Sequence, residues 1–384
     1  MGSRVRNTRI LQSLARSFEL TIVTVVHDRS RLLDPGPLAE LGRWVPIIAP
    51  HQRSLPAKLA WHLRWRTMGK REGVHRETFF QSFPIVAETV AKLIEDERPD
   101  IVHVAYWYAL RHLPEFARPP LWVLDTHDVQ FERHSRLWGR QSAMEKDQEV
   151  RELRRYDRVI AITDHDREVF AAELAGGPPV HVVGMGLELS DWDPAAVEPA
   201  DPRPKRVTFY GNMTNESNQR GARHLLDDLL PAVRQTHPDV SPLLLGAGTP
   251  QELRDEAENH GAVVTGFVED VRPWLASSSV LALSLRSGSG QRGRVLEALA
   301  LGIPVVGYVD ALEGLEFSDG EGTIPVRSEE AFAEAVTRLL SDPAEAERIG
   351  CVGRRCVQER YGWSATYGRF PELYGEWLES PPRG

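Results

Sequence analysis

Glycines, arginines and one glutamate crowd into RSGSGQRGRVLEALALGIPVV, Arg286 to Val306, in an order that suits phosphate chemistry. Gly288, Ser289 and Gly290 follow the apolar run VLALSL and open a helical segment that starts near Arg292 and Arg294 and carries Glu297. Glycines let an anion approach the backbone closely, and the first turn of a helix offers unpaired N–H groups and the positive end of its dipole. Arg292 and Arg294 add full charges to that end. A carboxylate at Glu297, one to two turns in, is placed to accept hydrogen bonds from two vicinal hydroxyls of a ribose. The combination reads as a nucleotide diphosphate site. Taken by itself, the loop reads equally well as a solvated basic helix start with no ligand.

Such a loop needs a strand before it and a helix after it, and the chain repeats that alternation along its length. Apolar runs at Phe18 to Val26, Trp44 to Ile48, RPDIVHVAY, LWVLDTHDV, RVTFYGNM, SPLLLGAG and AVVTGFV alternate with helical periodicity, and the proline-rich PAAVEPADPRPK marks a joint. With 384 residues, 41% hydrophobic and 26% charged, the chain has material for two cores of about 150 to 200 residues each. An α/β fold is expected, with one domain over 1–200, a second over 201–362 and a closing helix over 363–384. No apolar run approaches the roughly 18 to 20 residues of a membrane span, and the N-terminus lacks the apolar segment of a signal peptide, so a cytoplasmic protein is expected. A net charge of −9 argues against non-specific nucleic-acid binding. Cys351 and Cys356 are too few and wrongly spaced for a disulfide framework or a zinc site, and no metal ligand set is expected.

Three further groups of side chains have chemistry to offer. Asp125, His127 and Asp128 stand at the carboxyl end of the strand LWVLDTHDV, the edge at which open α/β sheets bind ligands. Nearby Arg133 either serves an acceptor or pairs with Glu132. Asp164 and Asp166 form an Asp-x-Asp, but Thr163 occupies an N-cap position with Asp166 three residues on, so capping is expected in preference to metal binding. Trp61 and Trp65 lie beside Lys58, Arg64, Arg66, Lys70 and Arg71, which suits an anionic membrane surface or a phosphorylated acceptor. The other reading is a helix whose apolar face packs on its own domain.

The order Gly-Ser-Gly, x-Arg-x-Arg, Val-Leu-Glu-Ala, Gly-Ile-Pro-Val-Val, with Gly-Phe-Val before it and Glu-Gly-Leu after it, resembles the retaining glycosyltransferases of family four, in their glycine-rich-loop subgroup. The resemblance spans nearly the whole chain and is strongest from Ala262 to Leu315. It implies the GT-B fold, two Rossmann-like domains facing across a cleft. It also implies transfer of a sugar from a nucleotide diphosphate sugar to a hydroxyl, with retention and without metal or any cofactor beyond the donor. The acceptor would be a glycan, a lipid-linked molecule or a natural product, with peripheral membrane contact as one option. By the same resemblance Arg292 holds the diphosphate, Glu297 the ribose, Gly288, Ser289 and Gly290 the donor, and Gly211 and Asn218 line its site. The backbone of Gly266, Phe267 and Val268 meets the base, and His127 contacts the donor sugar. His127 and Arg292 are thus the catalytic candidates.

The sequence departs from the family pattern at several points. Ser289 stands where many relatives have a glutamate, and the Arg and Lys that often follow the glycine after the strand are replaced by TNESNQRGARHLL, with Ser217 and Asn218 in the region. The positive charge is then expected from Arg292 or Arg220. A Pro-Asn-Gly-Val-Asp turn is replaced by Gly184, Met185, Gly186, Leu187 and Glu188. Relatives also carry a strand and glycine loop before a segment like GSRVRN, so either the coding frame extends upstream of Met1 or the first strand is lost, with Gly2 and Ser3 ending a donor-side loop. Two other functions share this pattern: a nucleotide-sugar 2-epimerase and a non-catalytic nucleotide-sugar-binding partner.

Overall fold

Apolar runs bounded by glycine and proline fold as parallel strands connected through helices, in two compact units. The computed structural model describes residues 2–27, 36–49, 55–69, 76–138, 143–201, 204–286 and 292–379. One unit takes residues 1–184 together with 367–384, and the other takes 185–366.

In the first unit, β1 (Thr21–Val26) pairs in parallel with β2 (Arg43–Ile48) as a separate two-stranded sheet. A four-stranded parallel sheet runs β3 (Ile101–Ala105), β4 (Leu121–Asp125), β5 (Arg158–Ala161), β6 (Val180–Val182) in that spatial order. Every residue of β4 is buried, as a parallel strand covered on both faces requires. The first helix, Gly2–Leu14, starts earlier than its apolar pattern suggests, so Gly2 and Ser3 are helical rather than the end of a loop. Nothing in GSRVRN opposes this, since it has no proline and its glycine stands at the helix start, where it costs least. This helix packs on the helix Phe370–Glu379, and Ser13 Oγ donates to Tyr367 O at 2.5 Å.

The second unit is one six-stranded parallel sheet of β7 (Arg206–Tyr210), β8 (Ser241–Leu245), β9 (Val263–Gly266), β10 (Val280–Leu283), β11 (Val305–Tyr308) and β12 (Thr323–Val326). Its spatial order is β12-β11-β10-β7-β8-β9. The chain winds outward from β7 to β9, returns to lay β10 beside β7, and winds outward the other way. At such a reversal the loops leaving the two central strands diverge to opposite faces and open a crevice at the carboxyl edge. That edge is where Gly211 and the glycine-rich stretch leave the sheet. The segment PAAVEPADPRPK lies inside this unit, with the Ala200 N–H on Pro273 O at 2.8 Å. Among the described residues no helix is long and apolar enough to cross a membrane.

Candidate active site

β7 ends at Tyr210, and Gly211 leads the chain out of the sheet with its N–H on Leu245 O at 2.9 Å. From the other side of the reversal comes Arg294, on the helix Arg292–Ala300, with Nη1 and Nη2 each donating to Asn218 Oδ1 at 3.2 Å. Asn218 is buried in the helix Glu216–Arg223, and its Nδ2 donates to Asn212 O at 2.7 Å. A Cβ on Gly211 would stand 2.9 Å from Arg294 Nη1 and 3.0 Å from Asn218, so a larger residue there would push these side chains from the strand end.

Arg294 makes no ion pair within the described residues; its hydrogen-bond partner is a neutral amide oxygen. Burial brings its guanidinium down to about 10, against the opposing pull of Tyr210 and Glu297. Although the charge of Glu297 acts on it, its hydrogen-bond partner is a neutral amide, so an arriving anion adds both Coulomb energy and charge-assisted hydrogen bonds. Glu297 stands three residues on, on the same helix face. Burial raises its carboxyl, while a hydrogen bond with the Tyr210 phenol and the charge of Arg294 hold it back. The arrangement sets an anion receptor one helical turn from a hydrogen-bond acceptor, which fits a diphosphate and its ribose.

At the next strand ends, Gly266 turns the chain with φ +66°, Phe267 is 75% exposed, and Val268 packs on the core. Gly288, Ser289 and Gly290 lie outside the described residues, and Arg292 is the first residue of its helix. Arg220, the second cation considered for the phosphate, is exposed and 3.8 Å from Glu216 one turn away. The structure therefore brings together Gly211, Asn218 and Glu297 and adds Arg294 and Tyr210. The signal for Arg294 is in the spacing: it stands three residues before Glu297, and residues three apart share a helix face.

In the first unit the candidate residues follow β4. Asp125 is fully buried and bound by Arg6 in a two-pronged pair, Nε to Oδ2 at 3.0 Å and Nη2 to Oδ1 at 2.8 Å. Arg6 spends its other donors on Val183 O and Gly184 O, both at 2.9 Å. Burial favours a higher Asp125 pKa, but Arg6, His127 and His103 hold it at about 2. Asp125 is therefore a permanent counter-ion, and Arg6, a fold residue, was invisible as such in GSRVRN.

His127, with its side chain 5% exposed, has Nε2 buried without a hydrogen-bond partner and 3.5 Å from Asp125 Oδ2. Burial depresses its imidazole to about 4, although Asp125 pulls the other way. At neutral pH it is an uncharged ring that offers hydrogen bonds and is a weak base. Its loop is pinned on both sides. Thr126 N–H and Oγ1 bond Ile160 O at 2.9 and 3.0 Å, and the buried Glu149 carboxylate accepts the N–H groups of Gln130 and Phe131 at 3.1 and 3.0 Å. Tyr106, just past β3, lays its ring on the imidazole at 4.3 Å between centroids and 16° between planes. Arg133 faces Asp128 at 3.5 Å, while Glu132 lies 3.2 Å from His165.

Two expectations resolve as local structure. Thr163 Oγ1 accepts the Asp166 N–H at 3.1 Å and caps the helix Asp164–Glu173. Trp61 turns inward onto Phe79 and Phe83, each 5.4 Å away, leaving Leu59 and Leu63 as the exposed apolar side chains of its helix.

Comparison with known proteins follows the same division. Residues 5–191 match the model of Glycosyltransferase Family 4, and residues 204–342 match that of Glycosyl transferases group 1. The chain is 28% identical over 300 residues to a glycogen synthase of Mycobacterium tuberculosis, covering 72% of this chain and 69% of that protein. It is 28% identical over 238 residues to a phosphatidyl-myo-inositol mannosyltransferase of Propionibacterium freudenreichii, covering 58% and 57%. In fold it is similar to sucrose-phosphate synthase of Thermosynechococcus elongatus, with TM-score 0.74, 16% identity and 99% and 94% of the two chains covered. Anabaena HepE in complex with UDP and glucose superposes with TM-score 0.69, 14% identity and 99% and 96% coverage. With matched models on both sides of residues 192–203 and parallel α/β units beneath them, the chain belongs to the GT-B glycosyltransferases of family four.

Proposed function

We propose that the protein transfers a hexose from a nucleotide diphosphate sugar to a hydroxyl acceptor, retaining the anomeric configuration and using no metal ion. The observation that carries this reading is Arg294, a largely buried cation with a neutral partner, set at the reversal point of a Rossmann-ordered sheet. Arg294 and Arg292 take the diphosphate, Glu297 the ribose, and the backbone at Gly266, Phe267 and Val268 the base. Gly288, Ser289 and Gly290 are assigned to the donor as well. A leaving diphosphate gathers negative charge, so arginine and a helix N-terminus can do the stabilising that a metal ion does elsewhere. His127, neutral at working pH, hydrogen-bonds the sugar and does not remove a proton.

The relatives narrow the trial substrates. HepE is seen with UDP and glucose, so UDP-glucose is the first donor to test, followed by ADP-glucose and GDP-mannose. The names of the sequence relatives make a glycan or a lipid-linked acceptor the first choice. Thermal shift with UDP, ADP and GDP, then nucleoside diphosphate release from each sugar in EDTA, tests the reading. The anomer of the product, read by NMR, tests retention. If none of the three nucleotides raises the melting temperature at millimolar concentration, the reading is wrong. Leu59 and Leu63, 66% and 64% exposed beside Arg64 and Arg66, supply a face for anionic lipid. Salt-sensitive pelleting with anionic vesicles is expected there, and equal pelleting with neutral vesicles removes that part.

A further inference from the structure

Tyr106 is a non-glycine residue at φ 68° and ψ 128°, a backbone conformation that side chains other than hydrogen rarely adopt. Its N–H still donates to Asp125 O at 3.1 Å, so the strain falls where β3 hands over to its loop. A residue keeps such a conformation when the surrounding structure demands it, and the demand most often comes from a functional site. Here the conformation carries the side chain onto neighbouring rings. The Tyr106 ring stacks on His127 at 4.3 Å and 16° and on Tyr108 at 5.2 Å and 17°. Tyr108 is in turn buried and donates its hydroxyl to Gln81 Oε1, so the stack is anchored in the core.

We infer that Tyr106 is a positioning residue for His127: its strained backbone lays the phenol ring against the imidazole and so fixes the edge that His127 presents to a sugar hydroxyl. His127 needs this help, because its Nε2 has no hydrogen-bond partner and Asp125 Oδ2, already paired with Arg6, stands 3.5 Å away, too far for a good hydrogen bond. An imidazole without a directing hydrogen bond keeps its orientation by packing alone. The stacked ring supplies that packing and also keeps water from one face. The inference rests on the reading of His127 as a sugar-binding group, and its tests separate the two.

The first test needs no activity. In the wild-type protein the His127 C2–H resonance should titrate near 4, under the combined influence of burial, Asp125, Arg6 and His103. In Tyr106→Ala, with one face opened to water, it should move toward the ordinary histidine value of about 6.5. An unmoved titration overturns the inference even if the protein has no transferase activity. The second test is turnover, followed as UDP release from UDP-glucose or as release from whichever of the three donors the protein uses. Tyr106→Ala should lose about 10- to 100-fold in turnover, since small misplacements of a contact group have effects of that size. UDP affinity should stay unchanged, because the groups assigned to the nucleotide lie in the other unit. Tyr106→Phe keeps the ring and should restore turnover. Tyr106→Gly releases the strain, so it should melt no lower than Tyr106→Ala and yet stay slow. Combined with His127→Ala, the Tyr106→Ala change should cost nothing more. Full additivity of the two losses, or recovery of turnover in Tyr106→Gly, overturns the inference. A Tyr106→Phe loss equal to that of Tyr106→Ala does the same and assigns the role to the hydroxyl.

Discussion

Arg6 in the first unit and Arg294 at the sheet reversal of the second are in opposite electrostatic states. Arg6 is fully buried, yet Asp125 keeps its guanidinium above the ordinary value, overcoming burial, and two backbone carbonyls take its remaining donors. Arg294 has an asparagine oxygen in place of a carboxylate, and burial brings its guanidinium down to about 10. A buried cation surrounded by protein acceptors serves the fold. One left with a neutral hydrogen-bond partner at a crevice suits the ligand role proposed for it, because an arriving anion adds electrostatic energy that the amide does not supply. The sheets repeat the contrast: β7 to β12 form one continuous layer whose reversal point makes the crevice, whereas β1 and β2 stand apart from β3 to β6.

The contrast can be broken most directly at Arg6. Arg6→Met leaves the Asp125 carboxylate buried without a counter-ion, and should cost about 3 to 5 kcal/mol in urea unfolding, with Asp125→Leu in the same chain recovering most of it. A loss below about 1 kcal/mol would mean that Arg6 is no fold residue. Arg294→Met should do the reverse. Removing a poorly compensated cation leaves the melting temperature equal or higher, while transition-state stabilisation falls by about 2 to 4 kcal/mol and UDP binds less tightly. Lower stability with intact UDP affinity would move Arg294 to the same class as Arg6. Arg292→Ala run alongside sharpens the point, since the larger loss of turnover marks the arginine that carries the departing phosphate.

Smaller effects follow from the neighbouring groups. The His127 imidazole is held near 4, below the 6.5 of an unperturbed ring, so the unfolded chain binds more protons between those values. Its contribution to stability is complete above about pH 6.5 and is lost as the pH falls toward 4, on the order of 3 kcal/mol. His127→Gln should flatten that part of the pH profile of urea unfolding, while the Asp125 contribution, seated near 2, persists until more acid conditions. An unchanged slope would show that His127 is open to water. Last in size, Glu297→Gln keeps shape but weakens hydrogen bonds made already in the ground state. The donor KM should rise by about 1 kcal/mol in binding terms, with a smaller loss of turnover. A turnover loss as large as that of Arg294→Met would place Glu297 in the transition state instead.

Much of this architecture is legible in the sequence. Strand, glycine and helix follow one another in a recognisable period, and buried parallel strands declare themselves as short continuous apolar runs, which is why β4, β7, β8, β10 and β11 stand close to where their residues suggest. The place of Glu297 in its helix and of Gly211 at a strand end is readable because helical periodicity and a glycine at a strand end are local requirements. The choice of arginine was less so. Arg292, Arg294 and Arg220 are equal in composition, and only the packing over Gly211 separates Arg294, held at Asn218, from Arg220, exposed beside Glu216. Trp61 likewise sits in a basic segment whose sequence permits either face, and the aromatic pair Phe79 and Phe83 decides it.

By itself the sequence determined the α/β alternation and the helix that carries Arg294 and Glu297, because these depend on the spacing of apolar residues along one chain. Only the tertiary structure decided that Arg6 neutralises Asp125 across 119 residues, that Arg294 meets Asn218 across 76, and that a strained Tyr106 lies flat on His127. The reason is physical: the charge state of a buried group and the orientation of a ring are set by whatever is packed against them, and those neighbours come from distant parts of the chain.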